Sequence, residues 1–465
     1  MNRPALALVA LAGAALLGAG AAPGVLPAPE AQRSLGAVRA FADPSSATLA
    51  CPPGVLDPFD PSARSAPASI WSSTGFGPGD AAPESLTVTA SEGSGLAAPT
   101  ALVLAGQGGG DLLGLSATPC AVPASDQWIV LGPTTLGNDA VLVLANPSST
   151  PVEATIEAYG ASGPLSGGAQ RTTVPARSRA LLLPAGWFAD EERLVLHVRA
   201  DGAGVAAFAQ MSSMSGETPK GTTWTSASAP GTALTLVGVG GEDSAVLDIA
   251  VPGKTPAKVR VSLLTAQGVA PLPGGEVEVD PGTVLSVPLD GASSAPAALV
   301  LASDVPIVAD VERSWNGESL SGTGEKWRTT STIAPSLAFT ESDVPGAKTL
   351  AALIAERLSA APLRATSIQT SSGAKDPSAK ILLALPGDSP APSATVTIDG
   401  EPVEVGAGTS VLVDVPQEDS RLVSDAPVHA SILVRATTPN GVVHATWPVG
   451  GAGLAARDAL VSVLP

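Results

Sequence analysis

Aromatic side chains are scarce: seven Trp, six Phe and one Tyr in 465 residues. Cores must therefore be filled by aliphatic side chains, and each aromatic is a candidate either for a core or for an exposed contact surface. Basic charge is scarce too. Lys and Arg number 24 against 42 Asp and Glu, a net charge of -18. That excludes the basic footprint of a nucleic-acid binder and argues against a polybasic membrane-surface protein. All charged residues together make up 14%, well under the roughly 25% of an average soluble domain. There are three histidines, and no third ligand suggests itself beside them, so neither a zinc site nor any other metal or cofactor site is expected. Apart from one N-terminal stretch, no apolar run is long enough to span a membrane.

What is abundant is Gly (50) and Pro (44), about one residue in five, within a chain that is 45% hydrophobic. That share stays under the roughly 25–30% typical of disorder. It suits many short strands cut by turns, and the length suggests about three domains.

The N-terminus reads as an export signal. Arg3 precedes an apolar stretch, Leu6 to Leu17, and Ala19-Gly20-Ala21 fits the small-x-small cleavage rule. Residues 1–21 are expected to be a signal peptide and residues 22–45, with three prolines between Pro23 and Pro29, a linker. The alternative is an uncleaved anchor, which alone would bring the chain to a membrane. Cys51 and Cys120 are the two cysteines. In an oxidising exterior an even pair reads as one disulfide, with two buried thiols as the alternative. Such a bridge closes a loop of roughly 70 residues, worth about 4 kcal/mol in the chain-entropy account.

Beyond Cys120 the chain repeats itself. Apolar strands stop at Asn146-Pro147, Val251-Pro252 and Leu385-Pro386, where proline restricts the preceding residue to extended geometry. Alternating strands follow near 154–159, 258–263 and 394–398, with a period of two that marks half-buried strands. Glycine turns and a third strand come next in each copy. A hairpin-like pair then turns at Asp201-Gly202, Asp304-Val305-Pro306 and Asp425-Ala426-Pro427, by the turn chemistry of Asp and Pro. Each copy closes on a tryptophan, Trp224, Trp327 and Trp447, expected in equivalent places.

About six strands per hundred residues predict an all-β fold of tandem immunoglobulin-like β-sandwich modules. A propeller or solenoid is the alternative. The expected boundaries are an irregular first β module over 46–132 that holds the cysteines and ends near Trp128, then sandwiches over 133–228, 229–333 and 334–465. The last carries one short helix near 349–361, with Thr349 as N-cap, helical spacing of Leu350, Leu353, Ile354 and Leu358, and Pro362 as its stop. Residues 370–377 read as a loop. Aliphatic packing is expected inside the sheets and polar chemistry at the turns.

No catalytic constellation is readable. A nucleophile elbow is absent, Gly253-Lys254-Thr255 lacks the upstream glycine of a phosphate loop, and Ser372-Gly-Ala-Lys375 has none of the partner motifs its spacing requires. Asp57 and Asp60 read as a solvated turn, with weak calcium binding as the alternative. The acidic groups at 190–192 and 417–419 read as solvated loop charge. His429 would need a hydroxyl nucleophile beside it to make a hydrolase. Possible ligand-contact aromatics are Trp71, Trp187 and Trp315. An exposed cluster among them would favour sugar binding, and burial of all three would remove it.

From Cys120 through Trp128, then Leu142 to Pro147 and Val152 to Gly160, the chain resembles an uncharacterised family of secreted or membrane-anchored all-β proteins of high-GC Gram-positive bacteria, a domain of unknown function. The likeness runs from about Cys51 to the C-terminus. It implies an extracellular or cell-envelope location. Members are encoded beside a large glycosyltransferase, which implies envelope glycan biology. It supplies no catalytic residues. The expected function is accordingly a non-enzymatic envelope scaffold or protein-binding surface, or else a carbohydrate-binding accessory to glycan assembly. The partner would be an unidentified envelope protein or glycan.

Overall fold

A computed structural model describes residues 38–42, 46–58, 60, 65–73, 85–89, 100–319, 326–365, 375–450 and 457–461. The expected signal peptide lies outside them. The chain divides into two units. One comprises Met1–Pro44 with Ala455–Pro465; its described part is an antiparallel pair of Val38–Ala42 with Arg457–Val461, in which Val38 faces Val461. The expected linker therefore contains a strand. The other unit, Ser45–Leu454, holds everything described below.

The fold is all-β, built of antiparallel sheets, and one strand order recurs three times. In the first stretch one sheet runs Gly163–Pro164, Val152–Gly160, Leu194–Ala200, Asp126–Leu131, with Gln170–Val174 also on Val152–Gly160; the facing sheet runs Ser178–Leu182, Asn138–Asn146, Ala206–Ser215, Thr218–Ser226. In the second, Gly268–Val279, Ala257–Thr265, the first half of Ala297–Ser319 and Gly231–Val239 form one sheet. Val284–Pro288, Ser244–Ala250, the second half of Ala297–Ser319 and Lys326–Ile333 form the other. The third repeats this with Glu401–Gly406, Ser393–Ile398, Ser420–Thr438 and Phe339–Val344, and with Thr409–Asp414, Lys375–Leu385, Ser420–Thr438 again and Gly441–Val449. Between each pair of sheets lies an aliphatic core, for example Leu142, Leu144, Ile156, Leu196 and Ala207 in the first and Leu247, Ile249, Val261, Leu299 and Val311 in the second. Both faces of such a core need inward apolar side chains at every second residue, which is the period seen in Val152–Gly160.

The expected hairpins are not hairpins. Leu194–Ala200 and Ala206–Ser215 belong to different sheets, and Ala297–Ser319 and Ser420–Thr438 are single strands that leave one sheet and enter the other at their Asp-x-Pro. Proline removes a ladder donor at the crossing, so pairing changes partner there.

The closing tryptophans are not equivalent either. Trp447 lies opposite Ile432, and by the same register its counterpart in the second stretch is Ile333, opposite Val311. Trp327 stands six residues earlier, and Trp224, opposite Gln210, points to the other face of its sheet. A one-residue slip is enough to exchange faces.

Residues 46–120 form an antiparallel pair, Ser46–Ala50 with Ser85–Thr89, and a three-stranded sheet of Ser69–Ser72, Ala101–Gln107 and Gly114–Pro119. Cys51 and Cys120 are bonded, next to a bridge in which Ala50 and Ala121 exchange backbone hydrogen bonds.

Successive sandwiches pack sheet face to sheet face. Trp128, Val130 and Val195 of the first meet Ala250, Val284 and Val308 of the second, and Val237, Leu264 and Ala298 of the second meet Leu382 and Ala384 of the third. The 46–120 region covers the first sandwich with Val55, Leu56 and Leu112 and the third with Trp71, Leu102 and Leu113. The outermost strands Gly114–Pro119, Thr218–Ser226, Lys326–Ile333 and Gly441–Val449 pack in succession, and the last returns to the first. Sheet edges that invite pairing with other chains are thus turned toward one another.

This junction corrects the expectation that polar chemistry stays at turns. Thr222, Thr223, Thr225, Thr329, Thr330, Ser331, Thr332 and Thr446 are buried in it. Several hydroxyls bond the neighbouring strand: Thr332 Oγ1 donates to the Trp224 carbonyl at 2.8 Å, Thr329 Oγ1 donates to the Val442 carbonyl at 2.9 Å, and Ser116 Oγ accepts from the Trp224 amide at 3.0 Å. The backbones approach so closely that a Cβ on Gly114 would lie 2.1 Å from the Thr222 carbonyl oxygen. One on Gly221, whose φ is +115°, would lie 2.7 Å from the Thr330 nitrogen.

The helix, α1, spans Ala347–Leu358. Gly346 rather than Thr349 is its N-cap, and it ends on Ser359, before Pro362. Its first amides are satisfied from another segment: Ala347 and Lys348 donate to the carbonyls of Pro416 and Gln417, and Gly346 to Asp419 Oδ1 at 2.8 Å. Leu350, Leu353, Ile354 and Leu358 enter the third core, as their spacing predicts. Lys375–Leu385 is a strand, so 375–377 are not loop; the rest of that expected loop, with Ser372, lies outside the described residues.

Candidate functional site

The three singled-out tryptophans are not brought together. Trp71 is buried in the third core and its Nε1 donates to Asp419 Oδ2 at 2.7 Å. Asp419 also accepts from Thr349 Oγ1 at 2.7 Å, so one carboxylate of the acidic loop, exposed as expected, ties α1 to the 46–120 region. Trp187 is half-buried on the first core, edge-on to Phe188 at 6.3 Å. Trp315 is half-buried in a cleft between the second and third sandwiches.

That cleft has a volume of about 230 Å³. From the second sandwich come Arg313 and Trp315, two residues apart on one strand and so on one face, with Gly240 and Gly241. The third contributes Lys380, Leu412, Leu433, Arg435 and His444. The Trp315 and His444 rings stack at 3.9 Å and 19°, Arg313 Cζ lies 5.0 Å from the Trp315 ring centre, and Trp315 Nε1 donates to the Gly241 carbonyl at 3.1 Å. Arg313 is buried. Its Nη1 donates to the Gly238 carbonyl, and its Nη2 to Thr446 Oγ1 at 2.5 Å and Ser331 Oγ at 3.3 Å, while Nε has no partner. Burial pulls its pKa down to about 10, against the attraction of Glu242 and Asp310. His444 is held neutral: burial, with Arg313 and Arg435 nearby, lowers its pKa to about 3, and its buried Nδ1 has no partner. Lys380 pairs with Asp414 at 2.6 Å. Sequence reasoning noted Trp315 but missed the rest, because Lys380, Arg435 and His444 come from a different sandwich. The one local signal was the Arg313-Ser-Trp315 spacing.

A second charged cluster sits where the first sandwich meets the second. Asp248 and Asp310 face each other across adjacent strands and both are buried. Asp248 accepts from Ser286 Oγ at 2.5 Å and lies 3.3 Å from Arg193 Nε; Asp310 Oδ2 accepts from Thr225 Oγ1 at 2.9 Å. Burial raises the Asp248 pKa to about 6 and the Asp310 pKa well above the ordinary range, with Asp248 and Glu312 adding to the rise. Their counterparts are Val143 and Phe208 in the first sandwich and Leu382 and Ser431 in the third.

The other two histidines contact groups of the fold. His197 stacks on Trp128 at 4.2 Å and sits 3.1 Å from Asp126. His429 Nδ1 is 3.0 Å from Ser336 Oγ and 3.1 Å from the Ser336 carbonyl. Ser336 Oγ itself donates to the Thr235 carbonyl at 2.9 Å. A ring nitrogen that donates to that carbonyl is not a base toward the hydroxyl beside it, and no carboxylate hydrogen-bonds the ring among the described residues. Asp57 is buried, not solvated, with Arg364 3.9 Å away. Asn146 is a turn clamp: its Nδ2 donates to the carbonyls of Thr150, Val174 and Pro175, and its Oδ1 accepts from Ser148. Among the described residues no group of three or more His, Cys, Asp or Glu is placed to hold a metal ion, and no helix is long and apolar enough to cross a membrane.

Fold and cleft together define an all-β protein of packed antiparallel sheets with a cationic, aromatic-walled recess in an acidic chain. Residues 77–416, more than two thirds of the chain, match a family of unknown function (DUF5719), and the chain belongs to that family. No curated protein matches it.

Proposed function

We propose that the chain is a non-enzymatic extracytoplasmic protein of the cell envelope, a scaffold or protein-binding surface made of tandem immunoglobulin-like sandwiches and exported by its N-terminal segment. One observation carries this reading. The outer strands of three sandwiches and of the disulfide-bonded region pack on one another around a hydroxyl-lined junction, an arrangement that rigidifies the body and contributes nothing to a reaction. A disulfide in it suits an oxidising compartment. Cross-linking and co-purification from native envelopes test the proposal. It expects the mature chain in the envelope fraction with a reproducible protein partner. A hydrolytic activity of the pure protein, lost in His429→Ala while the fold persists, would replace it with an enzyme.

A second reading, a carbohydrate-binding accessory to envelope glycan assembly, is favoured by Trp315, which lines a cleft of about 230 Å³.

A further inference from the structure

We propose that the cleft between the second and third sandwiches binds a single acidic sugar unit, one ring bearing a carboxylate or a phosphate. The inference rests on the carbohydrate-binding reading and leaves the scaffold reading standing if it fails.

The charge argument comes first. In a chain of net charge -18, Arg313, Lys380 and Arg435 converge on one recess. The acids near them are Asp414, paired with Lys380, Glu242, whose carboxylate accepts the Gly240 amide at 2.8 Å, and Asp310; the last two attract Arg313 from beyond contact. Arg435 has no hydrogen-bond or ion-pair partner among the described residues. Arg313 is wholly buried without a carboxylate in contact, and its Nε is unpaired inside the cleft wall. A buried, incompletely paired guanidinium is costly; an anion held by charge-assisted hydrogen bonds to the exposed Arg435 offsets part of that cost through its charge.

The rest of the wall says what carries the anion. A volume of about 230 Å³ lies below the ~300–1,000 Å³ of sites for drug-sized ligands, so one ring fits and a chain of rings does not. Burial holds His444 neutral at ordinary pH, so it adds no charge to the recess. Leu412 and Leu433, with the part of the Trp315 ring left open beside His444, supply an apolar side of the kind a sugar's C–H groups cover. The Trp315 indole nitrogen is already committed to Gly241, so its contribution is its ring.

Titration calorimetry on the full chain tests this, with glucuronate and glucose 6-phosphate as the two acidic sugars, and glucose and inorganic phosphate as controls. At least one acidic sugar is expected to bind saturably with one site, glucose to bind about tenfold more weakly or not at all, and Arg435→Ala to weaken the acidic sugar about tenfold. Arg435 is exposed, and unchanged thermal unfolding confirms that the variant folds. Comparing the two acidic sugars tells carboxylate from phosphate. Absence of binding by both, equal binding of glucose, or indifference to Arg435→Ala overturns the site. Inorganic phosphate binding as tightly as glucose 6-phosphate overturns the sugar as its ligand.

Discussion

Asp304 Oδ1 accepts a hydrogen bond from the backbone amide of Lys258 at 2.8 Å, and the same bond recurs in the other two sandwiches. Asp201 Oδ1 takes the Glu153 amide at 2.8 Å and Asp425 Oδ1 the Thr395 amide at 2.8 Å. In each case the aspartate follows the last residue paired to the neighbouring strand, Ala200, Ser303 or Ser424. The carboxylate thus stops one sheet where the chain crosses to the other. Removing this acceptor is expected to cost about 1 kcal/mol per site. Denaturant unfolding of Asp304→Ala and Asp425→Ala should show that loss, and Asp304→Asn should retain most of the stability because an amide oxygen still accepts.

Gly221 holds a φ of +115° with the Thr330 backbone against it. Gly221→Ala is expected to cost about 2–3 kcal/mol through strain and displaced strands. Gly253, with open space around its Cβ position and no positive φ, is the control; Gly253→Ala should stay within about 0.5 kcal/mol. Equal midpoints for the two variants would mean that the strands do not approach as described.

The carboxyls of Asp248 and Asp310 have pKa values raised by burial. A raised folded-state pKa means that the native state holds its proton more tightly than the unfolded chain. Their contribution is therefore fully present below about pH 4 and is lost as pH rises, through about 6 for Asp248 and further up for Asp310. The shift of Asp248 corresponds to a contribution on the order of 2–3 kcal/mol. His444, with its lowered pKa, works the other way, favouring the fold as pH rises from about 3 toward 6.5. The clean measurement is the difference in unfolding free energy between the native chain and Asp248→Asn across pH 4–7. The native chain should lose stability relative to the variant as pH rises; a flat difference would show that Asp248 is not buried at this interface.

Cys51 and Cys120 are bonded beside the Ala50–Ala121 bridge. Thiol labelling of denatured, unreduced mature protein should find no free thiol, and replacing both cysteines by alanine should cost about 2–4 kcal/mol.

Local chemistry was legible in the sequence and long-range assembly was not. The X-Pro stops, the Asp turns and the spacing of Leu350, Leu353, Ile354 and Leu358 act within a few residues, so their strands and helix could be read directly. The crossing of Ala297–Ser319 between sheets was hidden because Asp304 and Pro306 carry the chemistry of a hairpin turn, while the strand runs on through them into the other sheet. Thr329 and Thr332 look like solvent-facing strand residues, since a threonine suits either an exposed strand or a buried one with a partner, and the partner lies about a hundred residues away. Thr349 had the chemistry of an N-cap, but Asp419 and the Pro416 and Gln417 carbonyls took that role from another strand. The cleft shares the same cause: Trp315 was visible alone, while His444 and Arg435 reach it only after two sandwiches have packed.

Residues 45–454 form one body, welded through the hydroxyl-lined junction. Scanning calorimetry of the chain should therefore show one cooperative transition whose calorimetric and van't Hoff enthalpies agree; separate transitions for the individual sandwiches would mean that the junction does not join them.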